Sequence, residues 1–258
     1  MKIKNIIASC FIILSTQAFG QWEYQYFVAR LGLVHGIMNS QPATSSGRYV
    51  VTAAGEIPLT TNIDATTGFY LPYVVNANAD LFFHMDAKND KFGAIIGASF
   101  SMYPSVQKYA TKNNVNWVVE RLDVLSVGLP VYVKFSKEMY EKQQYFYTGF
   151  VYNFNLELFQ TQKVSWSQSN LTLSRKEALK KSTVALVAGY NHLLFNIELN
   201  YIPSTFIDPK FTLDGKLYPY ESEPKNKLFL KTGITVPLSK WTTSRNYFLH
   251  KFFRRFRR

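Results

Sequence analysis

The chain has 258 residues, 29 basic against 17 acidic side chains for a formal charge of +12, and a composition 47% hydrophobic and 16% aromatic but only 18% charged. Such an aromatic, charge-poor composition argues against an ordinary soluble basic protein and fits a membrane barrel with aromatic girdles. The single cysteine, Cys10, falls in the first twenty residues, so the mature chain is expected to carry no disulfide and no thiol chemistry.

Those first residues read as a secretory signal. Lys2 and Lys4 give a basic start, Ile6 to Leu14 an apolar run, and Ala18-Phe19-Gly20 a cleavage site before Gln21. The run is too short to span a bilayer, and no later segment is long and apolar enough for a membrane helix. The predicted organisation is a signal peptide at 1–20, one barrel domain at 21–239 and a basic aromatic tail at 240–258. Without Lys2 and Lys4 the charge is +10, and seven of those positive charges lie between Lys240 and Arg258, with no acid. The barrel body is therefore close to neutral, and export with this charge distribution excludes a nucleic-acid partner.

Along the mature chain the hydrophobic pattern has a period of two. Phe195, Ile197, Leu199 and Tyr201 alternate with Asn196, Glu198 and Asn200. Phe150, Tyr152, Phe154, Leu156 and Leu158 alternate with Asn153, Asn155 and Glu157. Leu71 through Leu81 repeats the alternation against Asn76, Asn78 and Asp80. Successive strand side chains face opposite sides, so each segment has one apolar, aromatic-rich face and one polar face. An apolar exterior against lipid and a hydrogen-bonded interior accounts for both.

Eight strands are predicted, over Tyr26–Met38, Phe69–Met85, Phe92–Tyr103, Trp117–Phe135, Tyr145–Phe159, Thr183–Tyr190, Leu194–Phe206 and Lys227–Leu238. The connections Asp86–Lys91, Ser136–Gln144 and Asn191–Leu193 are short. Asn39–Gly68, Pro104–Asn116, Gln160–Ser182 and Ile207–Asn226 are long. Short periplasmic turns and long external loops put both termini in the periplasm. Tyr49–Ala54 offers a further strand, leaving ten strands as the alternative. The fold class is thus all-β: an eight-stranded antiparallel up-and-down transmembrane β-barrel with a short amphipathic C-terminal tail.

In the final strand, Lys231, Gly233, Val236 and Leu238 follow a polar, glycine, apolar, apolar spacing. This resembles the assembly signal by which outer-membrane machinery recognises a last strand. The stretches Phe92–Phe100, Leu125–Lys134, Tyr145–Tyr152, Val187–Tyr190 and Glu198–Tyr201 resemble the PorT-like outer-membrane β-barrel family of Bacteroidetes-type envelopes. The resemblance implies an eight-stranded outer-membrane barrel and, through one member, a link to type IX secretion. It supplies no catalytic residues, and the basic tail departs from its pattern.

Parity without bulges puts Arg30, Asp80, Lys134, Glu157, Glu198 and Lys231 inside, three bases and three acids. A narrow eight-stranded interior filled by side chains requires such charges to pair, and Arg30 and Asp80 on neighbouring strands are expected to meet. Glu120 and Lys227 share that parity near the external rim, within reach of water. His84 and His192 are placed at turns, His250 in the tail, and His35 on the outward face. No nucleophile elbow, metal-spaced cluster or phosphate loop occurs, so no catalytic residue, cofactor or metal is assigned. The reading is a sealed, non-catalytic binding, scaffolding or secretion-accessory barrel. The alternatives are a lipid-modifying enzyme and a narrow pore.

Lys163, Arg175, Lys176, Lys180 and Lys181 in the third long loop face a single Glu177 and could meet lipopolysaccharide phosphates, a partner protein or only water. In the tail, Leu249, Phe252, Phe253 and Phe256 share one helical face, with Arg254, Arg255, Arg257 and Arg258 around it. That composition suits an interfacial helix on outer-membrane lipid or a docking segment for an envelope or secretion-system protein.

Overall fold

The computed structural model describes residues 22–38, 49–52, 55–58, 63–66, 75–87, 91–111, 117–135, 144–164, 170–174, 176–208, 210, 212–213, 216–217 and 227–240. The signal segment and the tail with Phe252, Phe253, Arg254, Arg255, Phe256, Arg257 and Arg258 lie outside the described residues, as do Leu71 and Tyr73.

Eight strands form a closed antiparallel ring: β1 (Trp22–Met38), β2 (Val75–Ala87), β3 (Phe92–Thr111), β4 (Trp117–Phe135), β5 (Gln144–Val164), β6 (Ser182–His192), β7 (Phe195–Ile202) and β8 (Lys227–Lys240). Each pairs with its neighbour in sequence, and β8 pairs back onto β1, Tyr26 opposite Lys240 and Gly32 opposite Gly233. Closure leaves the ring no free edge, so every strand has a ladder on both sides. Tyr49–Thr52 does form a strand, but it pairs with Gly55–Pro58 in a separate hairpin. Ile63–Thr66 and Asn170–Ser174 extend the ends of β3 and β5 without entering the ring. The ring therefore has eight strands.

The polarity of this barrel is inverted relative to a soluble one. On all eight strands large apolar side chains are exposed, with Leu31 and Phe195 each at 67%. Arg30, Asp80, Lys134, Glu198 and Lys231 are buried inside. A continuous apolar belt of this extent on a closed sheet is a lipid-facing surface. Among the described residues no helix is long and apolar enough to cross a membrane.

Three features depart from the sequence reading. First, β3 does not stop at Tyr103. It continues to Thr111 and pairs with the start of β4, Ala110 opposite Trp117, as a ribbon that replaces most of the expected loop. Second, the β4–β5 register slips between Leu125 and Ser126: Ser126 faces Asn155 while Leu125 faces Glu157. This β-bulge reverses the parity of the rest of β5. Leu158 and Gln160, read as outward and loop positions, are buried, whereas Glu157 shares the outward register of Leu125. Third, β7 ends at Ile202, before Pro203, and Phe206 leaves the sheet. Pro supplies no N–H to continue a ladder.

The β6–β7 connection is the tightest. Leu193 takes φ 55, and the Asn191 side-chain amide donates to the Leu193 carbonyl at 3.2 Å. A positive φ is what a two-residue hairpin needs if its twist is to match the strands it joins.

Candidate functional site

The lumen is one polar network with an aromatic lining. At its middle, Arg30 on β1 donates from Nε to Asp80 Oδ2 on β2 at 2.5 Å. Its Nη1 lies 2.7 Å from Glu198 Oε2 on β7, and donates to Asn196 Oδ1 at 2.7 Å and to the Tyr147 hydroxyl at 2.9 Å. The Tyr147 hydroxyl in turn donates to Glu198 Oε2 at 2.9 Å, and the Asn200 amide to Glu198 Oε1 at 2.7 Å. The guanidinium also lies 4.8 Å from the Phe82 ring centroid. Arg30 therefore joins β1 to β2, β5 and β7 through hydrogen bonds and ion contact. This use of the planar fork is not available to lysine.

Towards the end with the short turns, Lys134 pairs with Asp86. It donates to the Tyr26 hydroxyl at 3.0 Å, and its Nζ lies 2.9 Å from His84 Nδ1. Tyr26 donates onward to Asp86 Oδ2 at 3.1 Å, and Lys134 lies 5.0 Å from the centroids of both Tyr26 and Tyr145. His84 and Asp86 are fully buried here. The sequence reading ends the strand at Met85, which puts His84 beside the turn and Asp86 in it. Two more residues of β2 carry Asp86 into the lumen, on the even parity that Asp80 and His84 share. Towards the loop end Lys231 donates to Ser101 Oγ at 2.8 Å, lies 3.8 Å from Glu198 Oε1 and sits 5.4 Å from the Tyr103 centroid.

Among the buried charges, Arg30, Lys134 and Lys231 are thus set among Asp80, Asp86 and Glu198 in one column, with Lys227 and Asp123 buried outside it. Asp86, assigned to a turn from sequence, is the third acid of the column, and Glu157 is not among them. Charges removed from water are costly unless paired, and each charge of this column has an opposite charge within 3.8 Å.

The loop-end mouth is covered. A short 3₁₀ turn, Lys176–Ala178, lies beside residues 205–208. Lys180 N–H donates to the Phe206 carbonyl and Asp208 N–H to the Ala178 carbonyl, both at 2.8 Å. Leu179 bridges Ile207. This strap presents Phe206 to the lumen aromatics, its ring centroid 5.6 Å from that of Tyr103 and 6.2 Å from that of Phe229. Lys227 Nζ sits 4.4 Å from the Phe206 centroid and is fully buried, although the sequence suggested a rim position open to water. Beneath the strap the central cavity, bordered by Arg30, His84, Tyr132 and Tyr147, measures about 10 Å³. That is about the room needed by one water molecule.

Beyond the lumen, His35 Nε2 lies 3.3 Å from Thr232 Oγ1, and His192 is exposed at the β6–β7 hairpin. His250 lies outside the described residues. A second polar group at the loop end joins Arg121 Nε to Asp123 Oδ2 at 2.7 Å, with Asn76 bonded to both residues. Among the described residues there is no cluster of three side chains able to hold a metal. In the final strand Lys231 is buried, Gly233 faces Gly32 across the seam, and Val236 and Leu238 are exposed on the belt.

No protein-family model matches the chain, and no curated protein matches it in sequence. Among solved structures, the chain is similar to the attachment invasion locus protein Ail of Yersinia pestis, crystallised with the heparin analogue sucrose octasulfate. The identity is 12% and the TM-score 0.32, covering 83% of this chain and 99% of Ail.

Proposed function

We propose that this protein is a sealed outer-membrane barrel that works without catalysis, as a binding, scaffolding or secretion-accessory component. The observation that carries this reading is the closed lumen. Arg30, Lys134 and Lys231 are held by Asp80, Asp86 and Glu198, Phe206 packs against Tyr103 at the loop end, and the cavity bordered by Arg30 and His84 measures about 10 Å³. Among the described residues such an interior leaves a solute little room, which disfavours the narrow pore. Among the described residues the lumenal acids and bases are buried, which disfavours a lumenal enzyme. Activity is left to the outer surface: the loop end, the lipid-facing belt and the turn end where the first and last strands meet.

In this reading both termini face the periplasm: an even number of strands brings them out together beside the short turns, which outer-membrane barrels keep on the periplasmic side. The PorT-like character of the strand sequences supports a secretion-accessory role of the type IX kind, and the basic aromatic tail is the segment offered to periplasmic-leaflet lipid or to an envelope partner. Purified protein added to a planar bilayer should insert as a heat-modifiable barrel and remain electrically silent. Steady single-channel steps would overturn the sealed reading. A mild-detergent pull-down from the native membrane should recover a stoichiometric envelope protein, and recovery of the barrel alone would remove the accessory role.

A further inference from the structure

The lysines of the strap lie outside the lumen and take no part in its ion pairs. Lys176, Lys181 and Lys210 are exposed. The backbone beneath the first two is fixed. Asn155, at the bulge of β5, donates its N–H to the Lys181 carbonyl at 3.0 Å and its side-chain amide to the Lys180 carbonyl at 2.8 Å. The opposite side of the strap is held by the Leu179–Ile207 bridge. Lys180 is spent internally, donating to Thr205 Oγ1 at 2.7 Å.

This basic rim adjoins the lipid belt in the sheet register. Ser182, the residue after Lys181, is the register partner of Phe154 and accepts the Tyr152 hydroxyl at 2.9 Å. Phe154 and Tyr152 are both exposed, at 43% and 39%. Within one or two residues the surface changes from lipid-facing rings, one of them a tyrosine with its hydroxyl turned to the rim, to ammonium groups. Tyrosine at this level is the mark of a membrane–water interface. The acids of the strap are Glu177 and Asp208, and Asp208 Oδ1 already accepts the Lys210 N–H at 3.0 Å.

We propose that this rim binds the phosphate-bearing headgroup of an anionic lipid in the leaflet at the loop end, with the acyl chains lying on the Tyr152 and Phe154 rings of β5 and on Val184 and Leu186 of β6. The proposal deepens the reading of a membrane-embedded binding barrel and rests on it. A lipid, rather than a soluble anion, is chosen because the cations border the apolar belt, so one ligand can satisfy both surfaces. Lysines near an anionic surface act as screened point charges whose effects sum.

The test uses the full chain reconstituted in phosphatidylcholine vesicles containing either bisphosphorylated lipid A or its dephosphorylated form. Lipid retained through detergent extraction is measured by mass spectrometry. Wild type should retain the phosphorylated lipid selectively, and less of it at high salt. Neutralising three lysines, K176Q with K181Q and K210Q, should weaken retention by roughly a hundredfold at low salt. The charge-preserving set K176R, K181R and K210R should retain it. Equal retention of the dephosphorylated lipid, or no loss in the glutamine variant, would overturn the proposal. So would displacement of the lipid by inorganic phosphate at matched concentration, which would reassign the rim to a free anion. Flotation with vesicles and heat-modifiable migration report insertion separately. A variant that floats and migrates normally but loses selectivity supports the site, whereas failure of wild type to float overturns the membrane reading and this proposal with it.

Discussion

Replacing Arg30 by Met tests the lumen most directly. Methionine keeps an unbranched stem against Phe82, so packing changes little and the loss of the guanidinium dominates. Two carboxylates then lose a partner, Asp80 at 2.5 Å and Glu198 at 2.7 Å. Glu198 keeps Lys231 at 3.8 Å and the amide of Asn200, whereas Asp80 keeps the amide of Asn78 at 2.8 Å. Stranding a buried charge costs about 3–5 kcal/mol. Arg30→Met is therefore expected to destabilise the barrel by about 4 kcal/mol. Removing Asp80 as well, as Arg30→Met with Asp80→Asn, should restore about half, leaving a coupling of about 2 kcal/mol. Urea unfolding in lipid vesicles, followed by the loss of heat-modifiable migration, measures each corner of the cycle. A single-mutant loss below about 1 kcal/mol, or strictly additive losses in the double mutant, would refute the reasoning, since the pair would then not share a buried interaction.

Gly189→Ala should destabilise by about 1–3 kcal/mol, because a Cβ there would fall against the Tyr147 ring and press it off Arg30 and Glu198; urea midpoints check this. Phe206→Ala should uncover the mouth, and a water-soluble amine-acylating reagent should then modify Lys227, which is buried in wild type; mass spectrometry of the labelled peptide reads the outcome, and unchanged protection would show that Phe206 is not the cover. In intact cells, cysteines placed at Lys181 or Lys210 should react with an impermeant thiol reagent while one at Lys91 should not, and the opposite pattern would invert the proposed orientation. Deleting residues 241–258 should leave a folded, inserted barrel that has lost a lipid or partner contact, whereas failure to insert would assign the tail to assembly.

The strand number and the belt were legible because they rest on a period of two that persists for ten or more residues. Leu31 and Leu33, or Phe195, Ile197 and Leu199, cannot be placed inside without putting Arg30 or Glu198 outside. The charge column was legible only where the ladder is regular. Asp80 and Arg30 stand directly opposite one another in the β1–β2 register, so parity and strand position were enough to pair them. Glu157 failed the same argument because a bulge one residue earlier reverses parity, and the bulge depends on how β5 meets β4 rather than on any residue in β5 alone. His84 and Asp86 were missed for a different reason. Polar residues at the end of an apolar run look like a turn, and only the partner Lys134, on a strand not adjacent in the sheet, makes them interior. The strap left a weak signal, an aromatic residue three positions after Pro203, but its contacts with Tyr103 and Phe229 join segments far apart in sequence.

The lumen column also bears on how the barrel enters the membrane. Arg30 and Asp80 come together as soon as β1 and β2 pair. Arg30 meets Tyr147, Asn196 and Glu198 across sequence separations of 117, 166 and 168 residues only when the ring has closed. An open sheet laid in lipid would show Glu198, Lys231 and one side of Arg30 to hydrocarbon, at about 2–4 kcal/mol for each base near the midplane. Such an intermediate is self-penalising, and the last step, β8 zipping onto β1 through the facing glycines 32 and 233, removes the penalty at once. The charges within the wall thus make closure all-or-none. An agent that guides this barrel into a bilayer must either hold the seam apart in a water-filled cleft or deliver the ring already shut.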